Sequence, residues 1–352
     1  MIKAISVLVA AVSVIAYLGP HVSPEIFWPA GFLSLAIPVL LLFNFLLFCY
    51  FLVRMKLFLL LPLCVLILGY EYLDSSFSFS PMRTEKPRDK SFSVLSYNVR
   101  VFNTYAYLHN ENEPGKTMIN WLAENHADIN CLQEFYNDDT SPVFNVVEKM
   151  TEQQELHAVV VPTLVNRIGA QFGLAIFSRL PIIHSGEIVI EERKPYQHAI
   201  FADIVTPHDT IRVYNIHLQS MHIDEEKIDD LDRASENYLD IAHKLRFGFM
   251  ERARQVDNLL LHIQQSPHPV LVCGDLNDMP YSYSYFALKE QLANAFEEAG
   301  CGMGFSYNGK LFFLRIDNQF YSPELKAIDF HTLRDVPFSD HFPIRSVYNW
   351  QK

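Results

Sequence analysis

The first part of the chain is composed almost entirely of apolar residues. Residues 4–18 run apolar up to Gly19-Pro20, 28–53 up to Arg54 and Lys56, and 57–70 up to Glu71. A bilayer core of ~30 Å takes roughly 20 apolar residues as a helix. The second run exceeds that length, and the first and third fall short of it. The first has the size of a signal-peptide core. Only Lys3 precedes it, however, and no Ala-x-Ala-like site lies near Gly19, so an uncleaved helix is the better reading. The third follows the second across only Arg54-Met55-Lys56, which suits a membrane hairpin better than a helix buried in a soluble core. About three transmembrane helices are expected within residues 1–73.

Further on, the apolar runs shorten and are bounded by polar residues. Val-, Ile- and Phe-rich runs at 92–97, 128–132, 156–161, 172–177, 182–190, 198–205, 211–216, 269–273, 311–321, 327–332 and 343–348 predict strands. Helical spacing covers 117–125, 225–265 and 283–296, with a break expected near Arg246-Phe247-Gly248. Many strands with few helices predict a mixed α/β domain over residues 91–352, two packed sheets with helices outside. Residues 74–90, rich in Ser, Pro and charge, read as a linker.

Charge sharpens this division. Residues 1–80 are electrically neutral, so the remainder carries the whole net charge of −12. Lys3, Arg54 and Lys56 flank the apolar runs on one side, and residues 21–27 hold no Lys or Arg. This places the N-terminus and the second loop in the cytoplasm, and three spans then put the large domain outside. Arg83, Lys86, Arg88 and Lys90 follow the third run, but long domains translocate largely regardless of such charge. The acidic run 222–240 reads as a solvated helix face. The five cysteines show no pairing or metal spacing and read as small buried hydrophobes. An acidic domain also lowers the standing of nucleic acid as substrate.

Several apolar runs stop at residues that phosphate and metal chemistry uses: Tyr97-Asn98, Gln133-Glu134, Asn215-Ile216-His217, Gly274-Asp275-Leu276-Asn277 and Ser339-Asp340-His341. Layered α/β folds commonly bind ligands at the C-terminal ends of strands. Singly, each residue has a plain reading as a cap, a turn or a satisfied core histidine. Five together are hard to attribute to turn chemistry. Their oxygens are hard ligands suited to Mg²⁺ or Mn²⁺, and His217 and His341 suit a phosphate or a proton transfer. No zinc-type Cys/His spacing, glycine-rich phosphate loop or Gly-x-Ser-x-Gly elbow is present.

In order, Ser93-Val94-Leu95-Ser96-Tyr97-Asn98-Val99, Cys131-Leu132-Gln133-Glu134, Asn215-Ile216-His217-Leu218, Gly274-Asp275-Leu276-Asn277-Asp278-Met279-Pro280, Arg315-Ile316-Asp317 and Ser339-Asp340-His341-Phe342-Pro343-Ile344 resemble the motifs of the endonuclease/exonuclease/phosphatase superfamily. The resemblance covers about residues 91–348 and leaves the apolar part outside. It implies a DNase I-like four-layer sandwich, two packed mixed β-sheets flanked by helices, and a metal-dependent phosphoesterase. By position, Asn98 and Glu134 would be the metal pair, with Asp340 a further metal or outer carboxylate. His217 would contact the phosphate or serve as acid, Asp275 would orient or deprotonate the water, and Asn277 would hold the phosphate or that water. Asp317 would fix the tautomer of His341, which would contact the phosphate or move a proton. Asp275 and His341 both stand as candidate base. Arg100, where abasic-site nucleases carry Asp, and Asn318, where the family often has an aromatic, distance the chain from DNA-repair members. The substrate stays open between a lipid, a small phosphodiester and nucleic acid. The competing class is a non-catalytic, membrane-anchored binding module, which metal-dependent hydrolysis would exclude.

Overall fold

A computed structural model of the chain describes residues 1–79, 87, 90–104, 113–125, 127–167, 169–188, 199–221 and 234–351, without the side chains of 113 and 234–237. The expected acidic face over 222–240, and the ends of the runs 182–190 and 198–205, fall partly outside these residues.

The apolar runs fold as helices α1 (Ile2–Tyr17), α2 (Pro29–Val53), α3 (Leu60–Leu68) and α4 (Tyr70–Ser76). Two helices, Ile2–His21 and Pro29–Val53, are long and apolar enough to cross a membrane. The third run departs from expectation: Leu57–Leu68 and Tyr70–Ser76 meet at a bend of 54°. The break falls at Gly69, where a Cβ would collide with the Tyr17 hydroxyl, so α1 can approach this closely only at a glycine. The bent pair still runs the length of α1. Lys3 Nζ lies 5.5 Å from the Phe58 ring at one end, and the Tyr72 hydroxyl donates to Tyr17 O at 2.6 Å at the other. Within the apolar bundle Asn44 Nδ2 donates to Ser13 Oγ at 2.8 Å, the inter-helix polar contact common in membranes.

The remaining elements are β1 (Ser78–Phe79), β2 (Phe92–Asn98), α5 (Glu113–Glu124), β3 (Ile129–Asn137), α6 (Val146–Thr151), β4 (His157–Val165), β5 (Gln171–Ser178), β6 (Ile182–Ile188), β7 (Ala199–Val205) and β8 (Thr210–His217). They continue with α7 (Ala234–Ile263), β9 (Val270–Asp275), α8 (Tyr283–Lys289), β10 (Ala293–Asn294), α9 (Ala295–Ala299), β11 (Cys301–Gly302), β12 (Asp317–Tyr321), β13 (Leu325–Thr332) and β14 (Ile344–Trp350). The helix α7 is unbroken. The glycine expected to interrupt it, Gly248, lies inside the helix, where its cost of about 1 kcal/mol is overridden by packing. The helix expected over 283–296 ends at Lys289, and Asn294 then caps α9 by accepting from Phe296 N and Glu297 N. The strand expected from 311 starts only at Asp317, because Leu311–Leu314 closes a turn.

The chain sorts into two compact units, one of Met1–Phe77, Ser220–Asp257 and Asp278–Glu290, the other of Ser78–Gln219, Asn258–Asn277 and Gln291–Lys352. The first therefore holds more than the apolar segment. Within it Phe249 packs edge-on to Phe32 at 5.3 Å and Phe286 lies 5.1 Å from Tyr72. The fully buried Arg252 pairs through Nε with Asp278 Oδ2 at 3.0 Å.

The second unit holds two six-stranded sheets, ordered β13-β14-β2-β3-β5-β4 and β10-β12-β9-β8-β7-β6. Strand alternation divides their side chains between two cores. Val94, Ile129, Cys131, Leu174 and Ile176 of the first sheet meet Ile200, Ala202, Val213, Leu271 and Cys273 of the second. On the other face, Leu95, Tyr97, Leu132 and Phe177 are covered by Met118, Ile119 and Leu122 of α5. Such strands are buried on both faces, which is why their sequence is mostly apolar, with Ser93, Ser96, Asn130 and Gln133 buried among them.

Candidate active site

Each sheet is mixed, and each has a parallel pair near its middle: β2 with β3, and β8 with β9. Parallel neighbours end at the same edge. Antiparallel neighbours start there, so β12 and β14 bring their first residues to that edge. Asn98 closes β2, His217 closes β8 and Asp275 closes β9, while Asp317 opens β12 and His341 lies just before β14. The register pairs Asp275 with both His217 and Asp317. Ser339-Asp340-His341 thus enters ahead of a strand, not after one as the motif pattern suggested.

Glu134 also differs from expectation. It lies inside β3 at a bulge between Leu132 and Phe135, with a φ of +49°. A bulge re-aims a side chain, and a non-glycine residue in the left-handed region is a strain that surrounding structure must hold. Asn277 has the same φ of +49°, held by its N–H donating to Asp275 Oδ1 at 2.7 Å. At Gly274, with φ +146°, a Cβ would collide with Ile216 O across the parallel pair, so only glycine fits.

Some polar contacts of the site stay within a sheet and others cross between the two. Asn98 Nδ2 donates to Glu134 Oε1 and to Asp275 Oδ2, both at 3.2 Å. His217 Nε2 stands 3.7 Å from Glu134 Oε1 and 3.7 Å from Asp275 Oδ2. His341 Nδ1 bonds Asp317 Oδ2 at 2.9 Å, and its Nε2 lies 3.7 Å from Asp275 Oδ2. Asn277 Nδ2 donates to Leu218 O at 3.0 Å, which fixes the loop beyond β9. Beneath the site Gln133 Nε2 donates to Asn215 Oδ1 at 2.6 Å, and Asn215 donates to the carbonyls of Leu132 and Ala175. Gln133 and Asn215 are therefore buried struts between the sheets, not groups facing a ligand.

Burial alone would lower the His341 pKa, but the carboxylates of Asp317, Asp275 and Asp340 outweigh it and lift the imidazole to about 10. His341 is a buried cation at neutral pH. Asp275 is pushed upward, first by burial and then by the neighbouring Asp317 carboxylate.

Asp340 stands apart from the expected metal pair. Its Oδ2 lies 3.3 Å from Arg100 Nε, and its Oδ1 accepts from Ser339 Oγ at 3.1 Å. Ligand atoms of Asp275, Asp317 and His341 lie within 4.8 Å of one another. An imidazolium among them makes that trio an ion-pair network and a poor cation nest. The arrangement around Asn98 fits a hard cation better. Glu134 and Asp275 direct carboxylate oxygens at one point, and the buried His217 Nε2 beside them makes no hydrogen bond. As placed, Asn98 offers its amide nitrogen there, and its Oδ1 accepts from Arg100 N at 3.1 Å.

Two supporting residues, Ser306 and Tyr307, carry no signal in the sequence, and two others, Ser339 and Arg100, stand out there only as part of a motif or a departure from one. Ser306 Oγ accepts the N–H groups of Ile316 and Asp317, each at 3.1 Å, and Tyr307 packs edge-on to the His341 ring at 5.3 Å. Ser339 Oγ donates to Asn98 O at 2.8 Å, and Arg100, noticed only as a departure, holds Asp340. Tyr281, Tyr283 and Tyr285, which follow the Asp275–Asn277 loop in sequence, belong to the first unit. There Tyr285 is buried and Tyr283 donates to Asp257 Oδ1 at 2.7 Å. Arg315, two residues before Asp317, bonds Asn318 and lies 4.3 Å over the Phe296 ring.

The endonuclease/exonuclease/phosphatase family model matches residues 95–341, and a model of a domain of unknown function matches residues 1–76. A comparison with curated protein sequences gives no match. Among solved structures, the endonuclease/exonuclease/phosphatase from Bacteroides vulgatus superposes with a TM-score of 0.55 at 14% identity, covering 74% of this chain and 99% of that one. A mannosyl-6-phosphatase from Bacteroides thetaiotaomicron gives 0.51 at 15% identity over 74% of this chain and 100% of its own. The human nocturnin catalytic domain with bound sulfate gives 0.52 at 18% identity over 76% and 98%. Identities this low speak for the fold alone. Together with a family match running from β2 to His341, they agree with the two mixed, helix-flanked sheets of a DNase I-like domain, and the chain belongs to the endonuclease/exonuclease/phosphatase family.

Proposed function

We propose that the chain is a divalent-metal-dependent phosphoesterase that hydrolyses a phosphate ester with an activated water. Members of the family are typically phosphoester hydrolases and generally use divalent metals. The observation that carries the reading here is the Asp317–His341 pair at 2.9 Å, with Asp275 beside it and Glu134 and His217 on the same rim. The phosphatase and the sulfate-bound catalytic domain among the structural neighbours favour the same chemistry.

Glu134 and Asp275 would hold Mg²⁺ or Mn²⁺, with Asn98 a ligand once its amide turns to present Oδ1 in place of Nδ2. Such an ion neutralises charge on the phosphate and lowers the pKa of bound water. The protein's own groups do the rest. His341, cationic and fixed by Asp317, faces the phosphate with Nε2. Asp275, tied by the Asn277 N–H, orients the water and takes its proton. His217 donates toward the phosphate or the leaving oxygen. Charge stabilisation of this kind, set in place before the reaction, is commonly the largest catalytic term.

The test uses full-length protein in detergent with bis(p-nitrophenyl) phosphate. Hydrolysis with Mg²⁺ or Mn²⁺ that stops with chelator is the expected result. No turnover with either ion, on this or on DNA, RNA or lipid phosphoesters, would leave the binding module as the better reading.

The site is proposed to face away from the cytoplasm. Lys3, Phe58 and the Arg54/Lys56 loop share one end of the helix bundle, and Tyr17, His21 and Tyr72 share the other. On this reading the bent third run would cross as α1 does, and the chain would leave for β1 from the end opposite Lys3 and the Arg54/Lys56 loop. A C-terminal alkaline phosphatase fusion should be active, and a C-terminal green fluorescent protein that matures only in the cytoplasm should be dark. The opposite pair of signals would reverse the topology.

A further inference from the structure

One loop of the second unit has an apolar tip and a polar, well-tied base. Residues 303–314 leave β11 and return to β12. The base is closed by the N–H groups of Ser306 and Tyr307, which both donate to Leu314 O, at 3.0 and 3.1 Å. It is fixed to the catalytic segment by Asn308, whose N–H donates to Asp340 O and whose Nδ2 donates to Ser339 O. Tyr307 lies against His341. At the tip, Phe312 and Phe313 are 66% and 51% exposed, and Met303 is 46% exposed. Two consecutive phenylalanines in water, on a loop whose base is held in place, are not the residue of an unfinished core.

The chain's own path says what meets that tip. β11 pairs with β1, Ser78 opposite Gly302 and Phe79 opposite Cys301. Ser78 follows Ser76, the last residue of α4, by two positions, and Phe79 is 85% exposed. The strand from which the aromatic loop springs is thus paired with the first residues past the third apolar run. Exposed apolar patches of this kind mark contact surfaces, and aromatic side chains favour the membrane–water boundary.

Resting on the phosphoesterase reading above, we propose that residues 303–314 form an interfacial loop, with Phe312 and Phe313 entering the surface of the bilayer that holds the apolar helices, and that the substrate is a lipid phosphoester. The same loop presses Tyr307 on His341, so the element that meets the lipid also walls the phosphate site. A lipid headgroup reaches the catalytic rim from the bilayer surface while its acyl chains stay in the membrane.

Two measurements on the full chain in phosphatidylcholine nanodiscs test this. In Phe312→Trp, the added indole emission should be quenched by lipids brominated near the headgroup. An unquenched indole overturns insertion whatever the activity. The second compares hydrolysis of dioleoylglycerol 4-methylumbelliferyl phosphate in the disc with methyl 4-methylumbelliferyl phosphate in water. Phe312→Ser/Phe313→Ser should lose on the order of 10-fold on the lipid and less than about twofold on the soluble ester, because only the lipid depends on interfacial contact. Equal losses on both, or none on the lipid, overturn the loop's role. Wild-type turnover of the soluble ester alone overturns the lipid substrate and leaves the phosphoesterase standing. Turnover of neither removes the phosphoesterase reading and the lipid substrate with it, while the quenching result still decides whether the loop inserts.

Discussion

Glu134→Gln should reduce metal-dependent hydrolysis to background while the protein folds and melts as the wild type does. Glu134 is placed at the bulge of β3 by its backbone, and its side chain is 38% exposed, so an isosteric amide disturbs little packing. Gln can still accept the Asn98 amide proton through its oxygen. What it lacks is the negative charge that a hard divalent cation requires from its one or two protein carboxylates. Removing that charge leaves Asp275 as the nearest anion, already tied to Asn277, His217 and His341. Rates measured against Mg²⁺ concentration, with a thermal melt of the same sample, check this. A wild-type rate at saturating metal would remove Glu134 from the site.

The second large effect is expected at His341. His341→Ala and Asp317→Asn should each lower the rate by on the order of 10²–10⁴-fold. The double variant should be little worse than either single one, because a pair that acts as a unit does not lose twice. Multiplicative losses would separate the two residues. The pH profile gives an independent reading. His341 titrates near about 10, so an activity that needs the imidazolium should hold through neutral pH and fall on the alkaline side. Asp317→Asn removes one of the carboxylates that raise this pKa, and the alkaline limb should move to lower pH. The sign for stability follows the same shift. A folded pKa of about 10 against an ordinary value of 6.5 stabilises the fold fully below about 6.5, and that contribution is lost as pH rises toward 10.

Most strands of the second unit were legible because a strand buried on both faces is largely apolar. That signal placed most of β2 to β14 within a few residues. The residues at the active edge were legible by type and order. What periodicity could not carry was everything that depends on a neighbour distant in sequence. Gly69 faces Tyr17 closely enough to exclude a Cβ, and the Glu134 bulge shows only in the register of β3 against β5. The parallel pairings that bring Asn98, His217 and Asp275 to one edge leave no mark on any single strand. Gln133 and Asn215 look like ligand-facing groups in sequence, because a strut between sheets and a group facing a ligand use the same amides. Ser306 and Tyr307 sit in a loop with no local signature of what they hold.

His217, Asp275 and Asp317 belong to one sheet, and Asn98, Glu134 and His341 to the other or its margin, so neither sheet carries half an activity. The Asn98–Asp275 and Asp317–His341 contacts exist only where the two layers close on each other, held by the Gln133–Asn215 bond. On the proposed reading, hydrolysis would be a cooperative property of the whole domain. A molecule with only one layer intact would lack half of the rim, so turnover would report the integrity of the inter-sheet core.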